Sequence, residues 1–263
     1  MPLEEATSEP TDPSLEVSRL SEHEFSRIGA CGANRHDERP APHPASEVST
    51  SRTLNVLRAR FGRALSASGA ERPGDSVFDE LVSRYGEPHR HYHVLTHIVA
   101  CLAWLDRYSD HAQSPGEVEL ALWFHDAVYD PRAADNERLS AELARERLTA
   151  VGVQEAVVDR IAAHVLATEH HVASGGDAAL VIDLDLTILG ASTSDFEQFE
   201  SAIRREYAHV GEREFVIGRR YVLESFLSKD EIYFVPKIRA ELESRARENL
   251  ARRIAELLRE SGQ

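Results

Sequence analysis

His125 and Asp126 stand side by side in ALWFHDAVYD, Ala121 to Asp130, directly after the apolar run Ala-Leu-Trp-Phe. A lone buried carboxylate costs several kcal/mol, comparable to the stability margin of a whole domain, so something must compensate this one. The means are a metal ion, a charged partner or exposure that the pattern conceals. Upstream, EPHRHYHVLTH places His89, His93 and His97 at i, i+4 and i+8. On a helix these form one stripe, and imidazoles four residues apart commonly present two nitrogens to one metal. A solvated polar face accounts for the same spacing in a chain with 13 histidines. Downstream, VIDLDLTILG carries Asp183 and Asp185 in a third apolar segment. Imidazoles and carboxylates converging from three such segments form a mixed nitrogen and oxygen set. That set suits divalent Mn, Fe, Co, Ni or Zn better than calcium or a thiolate zinc site.

The elements that must position these groups read as helices. Residues 53–65 carry Leu54, Val56, Leu57, Phe61 and Leu65 in helical register. Glu87-Pro88 has the form of a helix start, followed by Val94, Ile98, Cys101, Leu102 and Leu105 on one face. Residues 118–128 are apolar nearly all round, as in a central buried helix, which Pro131 should end. Asp135 is placed to cap a helix that reaches Val151 and stops at Gly152. A further helix covers residues 154–170, then the loop VASGGDA, then more helices punctuated by Gly211, Gly218 and Pro236. In VIDLDLTILG the apolar residues alternate with Asp183, Asp185 and Thr187, which suits a strand, although Ile182, Leu186 and Leu189 also share a helix face. If the segment is helical, its two aspartates point nearly opposite ways. Residues 1–50 are rich in Pro, Ser, Glu and Thr without sustained periodicity, as in a disordered tail, and the His36-Asp37 pair there reads as coincidental.

In this order, His97, His125-Asp126 and Asp185 resemble the H…HD…D signature of the HD superfamily of metal-dependent phosphohydrolases. The likeness is closest to an uncharacterised subgroup of predicted HD phosphohydrolases. Its carriers are R-x-YH-x-x-x-H at Arg90 to His97, ALWFHD-x-VYD, NE-x-x-SA at Asn136 to Ala141, AT-x-HH at Ala167 to His171 and DLDL-x-ILG at Asp183 to Gly190. Later echoes are IR-x-EY at Ile203 to Tyr207, GR-x-x-VL-x-x-FL at Gly218 to Leu227, Ile232-Tyr233 and AR-x-NL at Ala246 to Leu250. The resemblance spans roughly residues 51 to 255. It implies an all-α HD-domain helical bundle over 51–263, with VIDLDLTILG helical. It implies the metal ligands His97, His125, Asp126 and Asp185, with Asp183 supporting them or capping a helix. His93 resembles the acid histidine of related phosphodiesterases, and a plain surface histidine is the alternative.

Around that set, Asp130 lies four residues after Asp126 and could orient a water or a ligand, or simply end the helix before Pro131. Glu137 could reach the site, or serve its own helix start. Arg90, Arg204 and Arg219 are candidate phosphate clamps, because a guanidinium matches phosphate bidentately. Thr168 and His171 are expected to line the cleft, and His164 to be incidental.

The net charge of −15 disfavours nucleic-acid polymers as partners, while a bound metal can still attract a small phosphorylated substrate, a nucleotide included. No window is long and apolar enough for a membrane span, and the N-terminus lacks the apolar core of a secretory signal. The only cysteines are Cys31 and Cys101, which fits a reducing cytoplasmic setting. The expected activity is metal-dependent phosphohydrolysis through an activated water. The alternatives are a catalytically idle nucleotide- or partner-binding module and a helical scaffold whose His-Asp pair needs no metal. Substrate, metal identity and oligomeric state are not fixed by the sequence.

Overall fold

The computed structural model describes residues 44–173 and 175–261. Residues 1–43, with His36-Asp37 and most of the tail expected over 1–50, lie outside the described residues, while 44–50 are helical. Within them are ten α-helices, two short 3-10 turns and no strand, so the fold is all-α as expected. The helices are α1 (Pro44–Ala67), α2 (Asp75–Arg84), α3 (Leu95–Tyr108), α4 (Pro115–Phe124) and α5 (Asn136–Ala150). They continue with α6 (Glu155–Ala167), α7 (Gly176–Asp185), α8 (Thr193–Glu206), α9 (Glu212–Leu227) and α10 (Pro236–Ser261).

Helix α4 is the axis of the bundle and packs against α1, α3, α5, α6 and α7. Its run Leu120 to Phe124 has no exposure, in keeping with a sequence apolar on every side. Burying each large side chain there contributes about 1.5–3 kcal/mol. Phe61 and Phe78 each pack edge to face with Trp123, centroids 5.6 Å apart, and lie tilted against each other at 5.9 Å. The helix stops at Phe124, well before Pro131, so His125 sits at its C-cap and Asp126 in the turn beyond.

The expected helix start at Glu87-Pro88 is not formed, and α3 begins at Leu95 with Val94 as its N-cap. The backbone amides of His91, Tyr92 and His93 instead converge on one carboxylate oxygen, Glu206 Oε1, at 2.7, 2.8 and 3.0 Å. Successive amides around one anion form a nest, which replaces the helical hydrogen-bond ladder. His89, His93 and His97 therefore do not share a helical stripe.

VIDLDLTILG is helical, α7 passing into a 3-10 turn at Leu186–Gly190. Asp183 and Asp185 face apart, as a helix requires. The Asp183 carboxylate accepts from the amides of Phe234 and Val235 at 2.8 and 2.6 Å, just ahead of α10. It thus satisfies two donors where a helix start leaves them unpaired. The 3-10 turn lies so close to α10 that a Cβ at Gly190 would come within 2.7 Å of Leu242 Cβ. Asp135 holds the N-cap position of α5, although its carboxylate pairs with Arg138 rather than with the helix amides. Gly211 caps α9 and Pro236 opens α10, but Gly218 is buried within α9 and punctuates nothing.

Candidate metal centre and its cavity

Three helix termini bring the donors together. The first full turn of α3 supplies His97, the C-cap of α4 supplies His125 with Asp126 behind it, and the last residue of α7 is Asp185. His97, His125 and Asp185 each place one donor atom within 4.8 Å of the others, a group that could hold a metal ion. His97 Nε2 is 3.2 Å from His125 Nε2 and 3.1 Å from Asp185 Oδ1. His125 Nε2 is 3.5 Å from Asp185 Oδ1 and 3.0 Å from Asp126 Oδ2, which also lies 3.7 Å from His97 Nε2.

The separations of 3.0 to 3.2 Å fit donors on one metal, whereas those of 3.5 and 3.7 Å are somewhat wider. Two donors each about 2.1 Å from one ion, at angles between 90° and 109°, lie about 3.0 to 3.4 Å apart. The tautomer of His125 fits as well. Its Nδ1–H donates to the Leu122 carbonyl at 2.9 Å, which leaves Nε2 with a lone pair aimed at the cluster in the neutral ring. Both imidazoles are almost wholly buried, His97 at 4% and His125 at 1% exposed, whereas Asp126 and Asp185 also line a cavity of about 250 Å³.

The electrostatics show how tightly the groups are coupled. Burial works against ionisation of Asp126 and Asp185, yet the charge on His125, together with its hydrogen bonds and with His93 beside Asp126 or His97 and His171 beside Asp185, holds both below the usual carboxylate range. Burial likewise lowers His125, but the two carboxylates raise it well above an ordinary imidazole. In the absence of metal, the cluster is held together by a proton that a metal would displace.

His93 lines the cavity beside the cluster. Its Nδ1–H donates to Glu206 Oε2 at 2.7 Å, so its Nε2 is the nitrogen left for the cavity. Tyr129 donates to the same carboxylate oxygen at 2.9 Å. Burial opposes the charge on Glu206, but His93 and the amides of His91 and Tyr92 bring its pKa down to about 2. Burial lowers His93 and the Glu206 and Asp126 charges raise it, with a net upward shift. His171 lines the cavity, its ring 3.8 Å from Asp185 Oδ2 and packed on Phe226. Its backbone lies in the left-handed region (φ 49°), unusual for a side chain with a Cβ, and Lys229 donates to its carbonyl. Glu137 lines the same space from the first turn of α5, and burial raises its pKa.

Four expected site residues lie elsewhere. Arg90 is 3% exposed and points into the protein, donating to the carbonyls of His93, Asp126 and Ala127 and to Glu87. It holds the HD turn rather than a phosphate. Arg204 donates to the carbonyls of Tyr207 and Val210 and pairs with Glu212, away from the cavity. Thr168 is buried and donates to the Val165 carbonyl. Asp130 is exposed and accepts from the Arg132 amide, because α4 ends too early to carry it one turn beyond Asp126. His164 does not line the cavity either, as expected. Arg219 does line it, but it pairs with Glu200 at 2.6 Å and lies over the Phe199 ring.

Glu206 is the principal residue missed from sequence. It belongs to the IR-x-EY echo, in which Arg204 drew attention as the cation. Tyr129, within VYD, and Glu169, within AT-x-HH, were likewise overlooked as parts of the site.

No family model, curated protein or solved structure significantly matches the chain. Among the described residues, no helix is long and apolar enough to cross a membrane.

Proposed function

We propose that the protein is a metal-dependent phosphohydrolase of the HD type, acting on a small phosphorylated molecule. The observation that carries this reading is the placing of Asp126 and Asp185. They approach buried imidazole donors and also line the cavity, so the donor set opens toward a space in which a substrate fits. His97, His125, Asp126 and Asp185 would hold the ion, and their nitrogen and oxygen donors favour Mn, Fe, Co, Ni or Zn. Such a metal, when bound, supplies a water acidic enough to attack at neutral pH and a Lewis acid for the phosphoryl oxygens.

The remaining chemistry falls to the chain. His93, its Nδ1–H held by Glu206, delivers a proton from Nε2 to the departing oxygen. Glu206 keeps that ring in one tautomer and favours its charged form. His171, from the loop before α7, and Arg219, from α9, approach the substrate, and Glu137 accepts a hydrogen bond from it. A nucleotide is within the substrate class, while the net charge of −15 works against nucleic-acid polymers. The buried free thiol of Cys101 is in keeping with a cytoplasmic setting.

The test is hydrolysis of p-nitrophenyl phosphate by the full chain loaded with each of the five metals, wild type beside His93→Gln. Metal-dependent turnover that drops about a hundredfold or more in the variant supports the reading, since positioned acid catalysis is worth about 10²–10⁴. Turnover that is unaffected by chelator or by His93→Gln contradicts it.

A further inference from the structure

The cavity is lined by residues of two kinds, acidic and aromatic. Toward the metal donors it presents Asp126, Asp185, Glu137 and Glu169. Against these four carboxylates, Arg219 is the only lysine or arginine among the lining residues, and its guanidinium is already paired with the buried carboxylate of Glu200. Such a lining has little cationic capacity to spare beyond what a divalent metal, His93 and His171 offer one phosphoryl group. Sites for di- and triphosphates normally answer each added phosphate with further cations or a helix N-terminus.

The rest of the wall is apolar and rich in rings. Phe199, Tyr207, Phe215, Val222 and Phe226, from α8, α9 and the segment between them, face the same space. Tyr92 packs edge to face against Phe199 with centroids 4.5 Å apart, which extends that wall to the His97 ring, tilted against Tyr92 with centroids 4.8 Å apart. A hydrophilic body such as a sugar phosphate would find few partners for its hydroxyls along this wall.

We propose that the cavity takes a phosphate monoester of an apolar, ring-bearing alcohol and discriminates against di- and triphosphates. This rests on the phosphohydrolase reading and narrows its substrate class. Its chemistry is hydrolysis: water adds at phosphorus, the P–O bond to the alcohol breaks, and the alcohol leaves with a proton as inorganic phosphate forms.

Calorimetric titration of the metal-loaded full chain, with excess metal removed, tests binding apart from turnover. Inorganic phosphate reports on the metal and phosphate subsite alone. Methyl phosphate against 1-naphthyl phosphate varies the body at constant charge, and adenosine mono-, di- and triphosphate vary the charge at constant body. The expected result is 1-naphthyl phosphate binding about tenfold or more tightly than methyl phosphate, a ratio of the size an apolar wall can give. Affinity should fall at each step from adenosine mono- to triphosphate. Val222→Asp, at a half-buried cavity position, should weaken 1-naphthyl phosphate more than inorganic phosphate. Glu169→Gln should shrink the penalty for the triphosphate. Phosphate binding with no gain from the naphthyl ring, or with affinity rising along the adenosine series, overturns this inference and leaves the phosphohydrolase reading standing. No binding of inorganic phosphate by the metal-loaded protein overturns both.

Discussion

The Arg90 guanidinium holds the backbone carbonyl of Asp126 at 2.7 Å, and with its other nitrogen that of Ala127 at 3.1 Å. It is sandwiched between the rings of Tyr85 and Tyr129, with its Cζ 5.3 and 5.4 Å from their centroids. A helix end leaves carbonyls unpaired, and here one cation gathers those of the turn that carries the His-Asp pair. Arg90 therefore fixes the approach of Asp126 to the imidazoles without touching the site itself.

Replacing Arg90 by Met keeps the bulk and removes every one of these hydrogen bonds. The expected loss is about 3 kcal/mol of unfolding free energy, from buried carbonyls left unpaired and from the loss of a buried charge partner for Glu87. Denaturant unfolding of the metal-free chain measures it. A loss below about 1 kcal/mol would show that the turn is held by packing alone.

Glu206 ties the segment 91–93 to α8, and its ionisation carries a defined pH dependence. Its pKa is about 2 in the folded protein against an ordinary value near 4.5, so its stabilising contribution is complete above pH 4.5 and is lost as the pH falls toward 2. A shift of that size corresponds to about 3 kcal/mol. The stability gap between wild type and Glu206→Gln, followed by urea unfolding, should be largest near pH 5 to 6, where Glu206 is ionised and His93, whose pKa it raises, is protonated, and should narrow below about pH 4.5. A gap that goes on widening below about pH 4.5 would contradict the charged state assigned to Glu206.

Asp183 and Asp185 should differ in what the same change does to metal binding. Asp183→Asn alters the acceptor of the Phe234 and Val235 amides, so it should lower stability by about 1–3 kcal/mol while metal binding persists. Asp185→Asn should weaken metal binding strongly and also cost the metal-free fold stability at neutral pH, because its carboxylate is held below the usual range by the facing imidazoles. Paired unfolding and metal titrations separate the two. Equal effects on both quantities would mean that the two aspartates act as one unit.

Metal affinity should rise with pH. His125 has its pKa raised well above the ordinary imidazole value by Asp126 and Asp185, and a metal must displace that proton to reach Nε2. Calorimetry in buffers of different ionisation enthalpy should show proton release on binding, with affinity climbing through neutral pH. PH-independent binding without proton release would place the ion elsewhere.

The reach and the failures of the sequence reading have physical causes. ALWFHDAVYD was legible because a His-Asp pair inside a wholly apolar run is chemically costly, and α4 is indeed buried on every side. The same burial erased the cue in α7. Residues 180–184 are all fully buried, so no amphipathic period remained to separate helix from strand. The segment 87–94 could not be read locally, since the acceptor that organises its amides lies 113 to 115 residues away in Glu206. Arg90 and Arg204 carried the right charge for phosphate, but backbone carbonyls supplied by the fold claim their donors. Asp130 was misplaced with the helix length, because α4 ends at Phe124 to put His125 at its terminus.

The most direct measurement is metal content per chain by elemental analysis, for the purified wild type and Asp185→Ala after equilibration with a mixture of the five metals. A metal centre built from His97, His125, Asp126 and Asp185 predicts near-stoichiometric metal in the wild type and its loss from a variant that still folds by circular dichroism. Metal-free wild-type protein after that equilibration, or equal content in the two proteins, would contradict it.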